Sequence, residues 1–347
     1  MPRNYSQANR NRNAIRATQD HALNLRETTN LTLREIARQC GYVNPTTGEP
    51  RPSTATEAIR AARLRRAEQG ASNASNAVQQ VATRVNGTLP SNRTFGFEAE
   101  FFGITRQQAK TALANVGITA RIAGRNERVN GWKLTTDVSV TSSGTGEGSG
   151  LELVSPILRG TRGMEEAIKA LKALADAGAR VDRSCGLHVH LGADGMTGAN
   201  LIALVDYYQA NIASVRKLVA NSRHSNNFCK DMTAVVRNST HMRSVANTPA
   251  QEALLKQSIG NLYDRYYSVN LTSYCKHGTV EFRQHQGTLN GKKLEAWVKF
   301  LMAMTEKVIG GMSPTAHADL PEMLNRLGLD SETQTYLAGR ATALAHR

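Results

Sequence analysis

The sequence predicts an α+β fold, in which helices cover one face of a mostly antiparallel sheet and the other face is open to ligands. A small basic helical region precedes this domain. Several short segments alternate apolar and polar residues with period two, which is the pattern of strands with one buried face. Segments with apolar residues at helical spacing lie between them. Strands interspersed with helices in this way indicate an α+β domain.

The first strand-like segment, residues 95–103, carries two carboxylates on one face. Side chains alternate along a strand, so Glu98 and Glu100 point to one side and the intervening apolar side chains to the other. Two carboxylates held a few ångströms apart repel each other, and a fold keeps such a pair where a cation neutralises it. Mg²⁺ and Mn²⁺ prefer carboxylate oxygens. For an isolated Glu-x-Glu, a half-buried strand with a hydrated polar face is the simpler interpretation.

Four further strand-like segments repeat this arrangement, which makes coincidence the weaker explanation. Each places carboxylates, imidazoles or cations at period two against apolar residues, and one of them ends at Pro156. The aligned residues are Lys133, Thr135, Asp137 and Ser139 in 132–140, Glu152 in 151–156, His188 and His190 in 185–192, and Glu281, Arg283 and His285 in 280–285. A shorter strand is predicted near residues 118–122.

Apolar residues at helical spacing predict helices between these strands. A capping box formed by Thr105 and Gln108 begins the first helix, which extends to about Val116. The spacing of the apolar residues in the later helices assigns them to the core. These helices cover residues 164–178, 201–218 and 294–308.

Two connections bear on the polar face of the sheet. Residues 265–285 predict a hairpin, which would bring Arg265 or Asn270 beside Glu281. The glycine-rich residues 141–150 predict a flexible hairpin connection. A phosphate-binding loop is the weaker interpretation, because no helix follows and the lysine of a P-loop is missing.

The formal charge of +15 is unevenly distributed along the chain. Thirteen arginines, no lysine and six acidic residues lie within the first 90 residues, an excess of seven positive charges. Arginine suits phosphate groups, so nucleic acid is a candidate partner. Residues 31–42 and 53–66 predict two helices that resemble a helix-turn-helix, although their connection is longer than the usual three or four residues. The alternative is a basic helical arm that aids solubility or packs on the following domain.

These observations divide the chain into four parts. We predict a basic helical region at 1–69, a linker at 70–92 with a short helix at 77–84, a main domain at 93–312 and a helical tail at 313–347. No segment is apolar for long enough to cross a membrane, and the N-terminus lacks the apolar core of a signal peptide. The scattered cysteines are typical of free thiols in a reducing cytoplasm, namely Cys40, Cys185, Cys229 and Cys275.

Four of the strands carry longer motifs. They are FGFEAEFF at 95–102, GLELVSP at 150–156, CGLHVH at 185–190 and TVEFRQHQGT at 279–288. In this order they resemble the signatures of the amidoligases, a family of carboxylate–amine ligases with a glutamine-synthetase-like fold. Four ordered motifs are much more specific than Glu-x-Glu or His-x-His alone. The resemblance extends over roughly residues 94–310 and does not reach the first ninety residues.

The resemblance implies an ATP-dependent ligase that joins a carboxylate to an amine through an acyl phosphate, with Mg²⁺ or Mn²⁺ as cofactor. It also implies, by position, that Arg283 contacts phosphate and acts in catalysis. The implied metal ligands are Glu98, Glu100, Glu152, His188 and Glu281.

Other polar residues are candidates for further roles in such a site. Lys133 and Arg265 are further candidates for contacts with ATP, and His190 points into the same site as a candidate catalytic group. Asp137 could accept a proton from the attacking amine, and it could equally be an ordinary residue of the polar face. Glu147 is a candidate for a remaining metal carboxylate.

Two other functions fit parts of the pattern. His188, His190 and a carboxylate make a catalytic zinc set, as in a hydrolase, although four or more carboxylates with Arg283 favour a magnesium-phosphate site. A DNA-binding protein with a non-catalytic ligase-like module is the other alternative, and the presence of every charged motif residue argues against it. The sequence does not name the acid or the amine, which could be amino acids, peptides, cell-wall pieces or protein side chains.

Overall fold

The computed structural model describes residues 5–29, 31–62, 89–141, 150–224, 226–233, 256–259 and 264–346. The chain forms two compact units, Met1–Ala77 and Val78–Arg347, and each is described by itself. Glu147 in the glycine-rich connection, the predicted helix at 77–84 and most of the predicted linker lie outside the described residues.

The N-terminal unit is helical, as the sequence predicts. It contains α1 (Tyr5–Thr28), α2 (Leu33–Gln39) and α3 at residues 52–62. A capping box begins α2, because the Thr32 side chain accepts a hydrogen bond from the Glu35 backbone and the Glu35 carboxylate accepts one from the Thr32 backbone. Small apolar side chains form the core of this unit, namely Ala22, Leu23, Ile36, Ala37, Ala55, Ala58, Ile59 and Ala62.

The connection between α2 and α3, residues 40–51, is longer than the turn of a helix-turn-helix. Gly41 follows α2 with a φ of 71°, a left-handed conformation that glycine adopts without strain and that ends the helix. An antiparallel bridge between Val43 and Pro50 then closes the connection into a loop. The sequence anticipated both the glycine stop and the long connection.

The larger unit is built on one seven-stranded sheet. Its strands are β1 (Phe95–Phe101), β2 (Ala120–Ile122), β3 (Trp132–Thr136), β4 (Leu151–Val154), β5 (Gly186–Gly192), β6 (Val269–Asn270) and β7 (Thr279–Gln286). Their order across the sheet is β2-β3-β4-β1-β5-β7-β6. Only β2 and β3 pair in parallel, so the expected mostly antiparallel α+β fold is confirmed.

One face of the sheet is apolar and packs against helices. On the central strand β1, Phe95, Phe97, Ala99 and Phe101 are at most 2% exposed, and they share one core with apolar residues of the surrounding helices. The helices of this unit are α4 (Arg106–Asn115), α5 (Gly160–Asp176), α6 (Gly198–Ala210), α7 (Ile212–Leu218), α8 (Thr272–His277), α9 (Gly291–Ile309), α10 (Leu320–Leu327) and α11 (Ser331–Ala345). Thr105 and Gln108 form the predicted capping box of α4.

A β-bulge in β7 places His285 on the apolar face, so its predicted alignment with Glu281 and Arg283 is wrong. His190 pairs with Glu281, but the register then shifts, and Leu187 pairs with His285. The extra residue reverses the alternation beyond the bulge. The His285 ring accordingly packs against Trp297 of α9, with ring centroids 5.2 Å apart.

Three predicted elements are shorter or divided in the structure. The strand expected at 132–140 ends at Thr136, because the Asp137 carboxylate accepts a hydrogen bond from the Ser139 backbone and thereby forms a turn. The helix expected at 201–218 is divided at Asn211, whose amide donates to the carbonyl oxygens of Tyr207 and Thr315. The expected hairpin at 265–285 contains the short helix α8 between β6 and β7.

The C-terminal helices α10 and α11 pack into the core of the larger unit through Leu320, Met323, Leu324, Leu327 and Leu337. Asp319 caps α10 at its start by accepting from the Glu322 backbone. Among the described helices, none has the length and apolar composition that a membrane crossing requires.

Candidate active site

The strand register brings the predicted site residues to neighbouring positions on the polar face. Glu98 on β1 is opposite His188 on β5, and Glu100 on β1 is opposite Glu152 on β4. On the other side of β5, His190 is opposite Glu281 of β7. Paired residues on antiparallel strands point to the same face, so the five expected metal ligands lie together.

His188 lies in the middle of three glutamates. Its Nδ1 is 3.1 Å from Glu98 Oε2 and 3.7 Å from Glu281 Oε1, and its Nε2 is 3.7 Å from Glu100 Oε1. Glu100 also accepts a hydrogen bond of 2.6 Å from the Gly186 backbone. The His188 ring nitrogens therefore lie within 3.7 Å of all three carboxylates.

His190 is held with one ring nitrogen towards the carboxylates. Its Nδ1 lies 3.0 Å from Thr279 Oγ1 and 3.1 Å from Ser273 Oγ. Its Nε2 lies 3.6 Å from Glu98 Oε1 and 4.0 Å from Glu281 Oε1, yet this buried atom has no hydrogen-bond partner among the described residues. A buried nitrogen without a partner, directed at two carboxylates, is well placed to bind a cation.

Three overlapping groups of side chains could each hold a metal ion. In each group the ligand atoms lie within 4.8 Å of one another, and the groups share Glu98 and Glu152. They are Glu98 with Glu152 and His188, Glu98 with His190 and Glu281, and Glu100 with Asp137 and Glu152. Hard divalent cations fit such oxygen-rich sets. All five predicted ligands are included, and Asp137 and His190 join them.

The charges of the site are strongly interdependent. Burial opposes ionisation of Glu98, but the hydrogen-bond contact with His188 and the nearby His190 outweigh it and hold the pKa of this carboxyl well below its ordinary value. Burial also opposes protonation of His190, yet Glu281 and Glu98 raise its pKa above the ordinary value of an imidazole. A proton on His190 thus compensates part of the negative charge that a metal ion would otherwise neutralise.

In contrast to Glu98, Glu152 has no described neighbouring cation that outweighs the effect of burial on its pKa. Burial, together with the negative charges of Glu98, Asp137 and Glu100, raises its pKa well above the ordinary value. Arg125 is the cation that opposes this shift, and its Nη2 lies 3.6 Å from Asp137 Oδ2. A divalent cation beside Glu152 would remove this repulsion.

Arg283 lies on the polar face beside Glu281, with its Nη1 hydrogen-bonded to Glu281 Oε1. Its Nε donates to the carbonyl oxygen of Phe228 over 3.1 Å. Of the two residues expected beside Glu281, it is Asn270 that contacts it, with an Nδ2–Oε2 distance of 2.6 Å. These contacts fix the Arg283 side chain before any ligand binds.

Two adjoining cavities open over this polar face. The larger, of about 630 Å³, carries many cationic side chains, and the smaller, of about 270 Å³, lies over Glu100 and His188. Arg265 lines both, whereas Lys133 lines the larger and donates to the Arg125 carbonyl oxygen over 3.0 Å. The cationic residues of the larger cavity are Arg125, Arg128, Lys133, Arg265, Lys276 and Arg283.

Sequence reasoning did not find two arginines of this site, Arg125 and Arg223. Arg125 follows β2 in a connection, and Arg223 lies in a short 3₁₀ turn after α7. Neither belongs to a strand with alternating residues, so no periodicity signals its direction. Only the fold brings them to the cavities.

Comparisons with known proteins identify a family. The family model described as "Putative amidoligase enzyme" matches residues 91–305, and no curated protein matches the chain. A crystal structure of a novel glutamine synthase homolog shares 13% identity over 77% of this chain and 70% of that chain, with a TM-score of 0.36. A GmaS/ADP complex shares 14% identity over 78% and 71%, with a TM-score of 0.33. These two similarities are too distant to bear on activity. The family match spans well over half of the chain, which therefore belongs to the amidoligase family of enzymes.

Proposed function

We propose that this amidoligase is an ATP-dependent carboxylate–amine ligase that uses Mg²⁺ or Mn²⁺ and an acyl-phosphate intermediate. The observation that carries the proposal is the set of three overlapping carboxylate–imidazole groups, with Arg283 beside them and a cationic cavity above. Two or more adjacent divalent cations and a triphosphate complement this arrangement in charge.

The residues fit the proposed metal ions. The donors are carboxylate oxygens and imidazole nitrogens within 4.8 Å of one another, and the buried Nε2 of His190 has no partner among the described residues. Mg²⁺ bound there would neutralise the carboxylates and the phosphates of ATP. Glu98, Glu100, Glu152, His188 and Glu281 would hold it, as the family resemblance implies.

The larger cavity is the proposed site of the ATP phosphates. Lys133 and Arg265 line it, and Arg283, already fixed by Glu281 and the Phe228 carbonyl oxygen, would stabilise the transferring phosphoryl group. A guanidinium that is oriented in advance stabilises developing charge without reorganisation during the reaction.

The proposed reaction has two steps. A carboxylate oxygen of the acid attacks the γ-phosphorus, the bond from this phosphorus to the bridging oxygen breaks, and ADP leaves. The nitrogen of the amine then attacks the acyl carbon, phosphate leaves, and the surplus proton of the amine passes to a base. Asp137 is the candidate base from the sequence, and its position with Glu100 and Glu152 supports an additional role as metal ligand. If Asp137 is a metal ligand, Asp137→Asn should weaken metal affinity. If it is only the base, metal affinity should not change.

The experiment that tests the proposal measures ADP release with Mg²⁺, ATP and pools of candidate acids and amines. Arg283→Lys should lower turnover by a factor on the order of a hundred, because lysine keeps the charge and loses the bidentate fork. Arg121→Lys, a surface arginine paired with Glu127, is the matched control and should act as wild type. Calorimetry should show that ATP binds much more weakly in EDTA than in Mg²⁺.

A zinc-dependent hydrolase is the second candidate, since Glu98 shares possible metal groups with both His188 and His190. In that case His188→Ala would reduce activity while ATP made no difference. Wild-type turnover by Arg283→Lys, or amide hydrolysis without ATP, would replace the ligase proposal with this one.

We further propose that the basic N-terminal region, residues 1–69, binds nucleic acid through phosphate contacts. Among the arginines that the structure describes there, Arg34, Arg38 and Arg60 are exposed. Binding of duplex DNA by the full chain should weaken steeply with salt, because each phosphate contact releases counterions. If the chain does not bind DNA at low salt, or if reversing these three charges leaves DNA affinity unchanged, the basic-arm interpretation is correct.

The four cysteines are free thiols, which supports a cytoplasmic location.

A further inference from the structure

Arg223 is a buried cation without a described anionic partner. It is 2% exposed, and its Nη2 donates to the carbonyl oxygen of Arg283 over 2.7 Å. Its Nε has no hydrogen-bond partner among the described residues, and no described carboxylate forms an ion pair with it. Lys299, another buried cation of this unit, instead lies 3.0 Å from the Glu295 carboxylate. A buried charge without a direct ion pair is unfavourable, so an anion that binds beside Arg223 would stabilise it.

The guanidinium lies at the floor of the smaller cavity, close to the candidate metal ligands. A Cβ atom added at Gly186 would lie 3.3 Å from Arg223 Nη2, 3.0 Å from His188 Nε2 and 3.4 Å from Glu100 Oε2. All three side chains line the cavity. An anion that enters it can therefore approach Arg223 and the proposed cations together.

The smaller cavity is charged at its floor, whereas its mouth carries two apolar side chains beside the exposed Arg125 and Arg265. Arg223, Glu100 and His188 are at most 5% exposed, whereas Val138 is 86% and Phe228 44% exposed. Phe228 also packs edge-on against another lining residue, Tyr266, with centroids 5.9 Å apart. The apolar side chains at the mouth have no role in binding metal or phosphate, so they point to a feature of the acid.

We propose that the smaller cavity binds the acid substrate, and that this is a small monocarboxylic acid with an aliphatic or aromatic group. Its carboxylate pairs with Arg223 beside the metal ions, and its apolar group packs against Val138 and Phe228. The volume of about 270 Å³ accommodates an acid of amino-acid size and excludes a folded protein surface. A second carboxylate on the acid would lose the contact with Val138 and Phe228, and a pair with the exposed Arg125 or Arg265 would gain little in return. This inference rests on the proposed ligase function and names its substrate class.

Calorimetry with Mg²⁺ present and no nucleotide tests the inference with four probes: 3-phenylpropionate, 4-methylvalerate, glutarate and 3-phenylpropionamide. We expect both apolar acids to bind at least tenfold more tightly than glutarate, and the neutral amide not to bind. Arg223→Gln should weaken the binding of 3-phenylpropionate at least thirtyfold. Val138→Asn, which adds polarity without charge, should weaken the binding of 3-phenylpropionate about tenfold while leaving Mg²⁺ affinity unchanged.

The melting temperature separates a ligand-binding role of Arg223 from a structural one. Without acid, Arg223→Gln should melt at or above the wild-type temperature, because the variant removes an uncompensated buried charge. A purely structural arginine would lower it. Glutarate binding as tight as that of 3-phenylpropionate, no binding of either apolar acid, or unchanged binding by Arg223→Gln would each overturn the inference.

Titration of the same proteins with MgATP distinguishes this failure from failure of the proposed function. If MgATP binds while the apolar acids do not, only the substrate inference is wrong. If MgATP does not bind, the ligase proposal itself fails, whatever the acids do.

Discussion

The two faces of the seven-stranded sheet come from the same strands but differ in what they contribute. On β1, Phe97 and Ala99 are buried in the core, whereas Glu98 and Glu100 face the cavities on the other side. The apolar face gains free energy from burial, whereas on the polar face the repulsion around Glu152 opposes folding in the absence of a cation. Adjacent residues on one strand should therefore affect stability and catalysis separately.

The largest effect should come from the apolar face. Phe282→Ala removes a fully buried ring that packs near Tyr208, and we expect a loss of about 3–5 kcal/mol in the free energy of unfolding. Arg283→Lys, the next residue, should change this free energy much less while it lowers turnover. Urea unfolding measures both. If the two variants lose similar stability, the faces are not separable.

Metal binding should make the polar face add to the free energy of unfolding. At a hundred times its dissociation constant, Mg²⁺ should raise the free energy of unfolding by about 2.7 kcal/mol, because it binds only the folded chain. Glu98→Gln should reduce this gain, since Glu98 belongs to two of the three groups. Glu165→Gln on α5 is the matched control and should keep the full gain in the free energy of unfolding. Equal melting temperatures in Mg²⁺ and EDTA would contradict the metal site.

His285 should give the apolar face a measurable dependence on pH. Burial lowers its pKa from 6.5 to about 3, so the unfolded chain takes up a proton before the folded chain does. Stability should therefore fall as the pH decreases from about 6.5 towards 3, by about 2 kcal/mol at pH 5. His285→Gln should lose this part of the slope. A variant with the wild-type slope between pH 7 and 5 would show that His285 does not titrate this way.

The smallest effect should come from a single carboxylate. Glu152→Gln removes a charge that Glu98, Glu100 and Asp137 repel, so the variant should melt roughly 2 °C higher than wild type in EDTA. In Mg²⁺ the order should reverse, because a metal ligand is lost. Calorimetric scans in both buffers make this comparison. A lower melting temperature in EDTA would mean that the repulsion is already compensated.

The polar face was predictable from the sequence because alternation with period two survives in β1, β4 and β5. This placed Glu98, Glu100, Glu152 and both histidines together. The pattern gave no sign of Arg223, which lies in a 3₁₀ turn, and it misplaced His285, because alternation cannot show where a strand inserts an extra residue.

Because of the bulge in β7, the strand register that builds the site is the same register that packs the core. Before the bulge, the strand presents Glu281 and Arg283 to the cavities, and after it His285 enters the core against Trp297. A slip of β7 by one residue would turn Arg283 towards the helices and Phe282 towards solvent, while the imidazole left its aromatic neighbour. Such a misaligned chain would lose packing on both sides of the bulge at once. A misaligned chain that displaces Glu281 and Arg283 is thus also less stable, so folding to the compact state brings the candidate metal ligands into position.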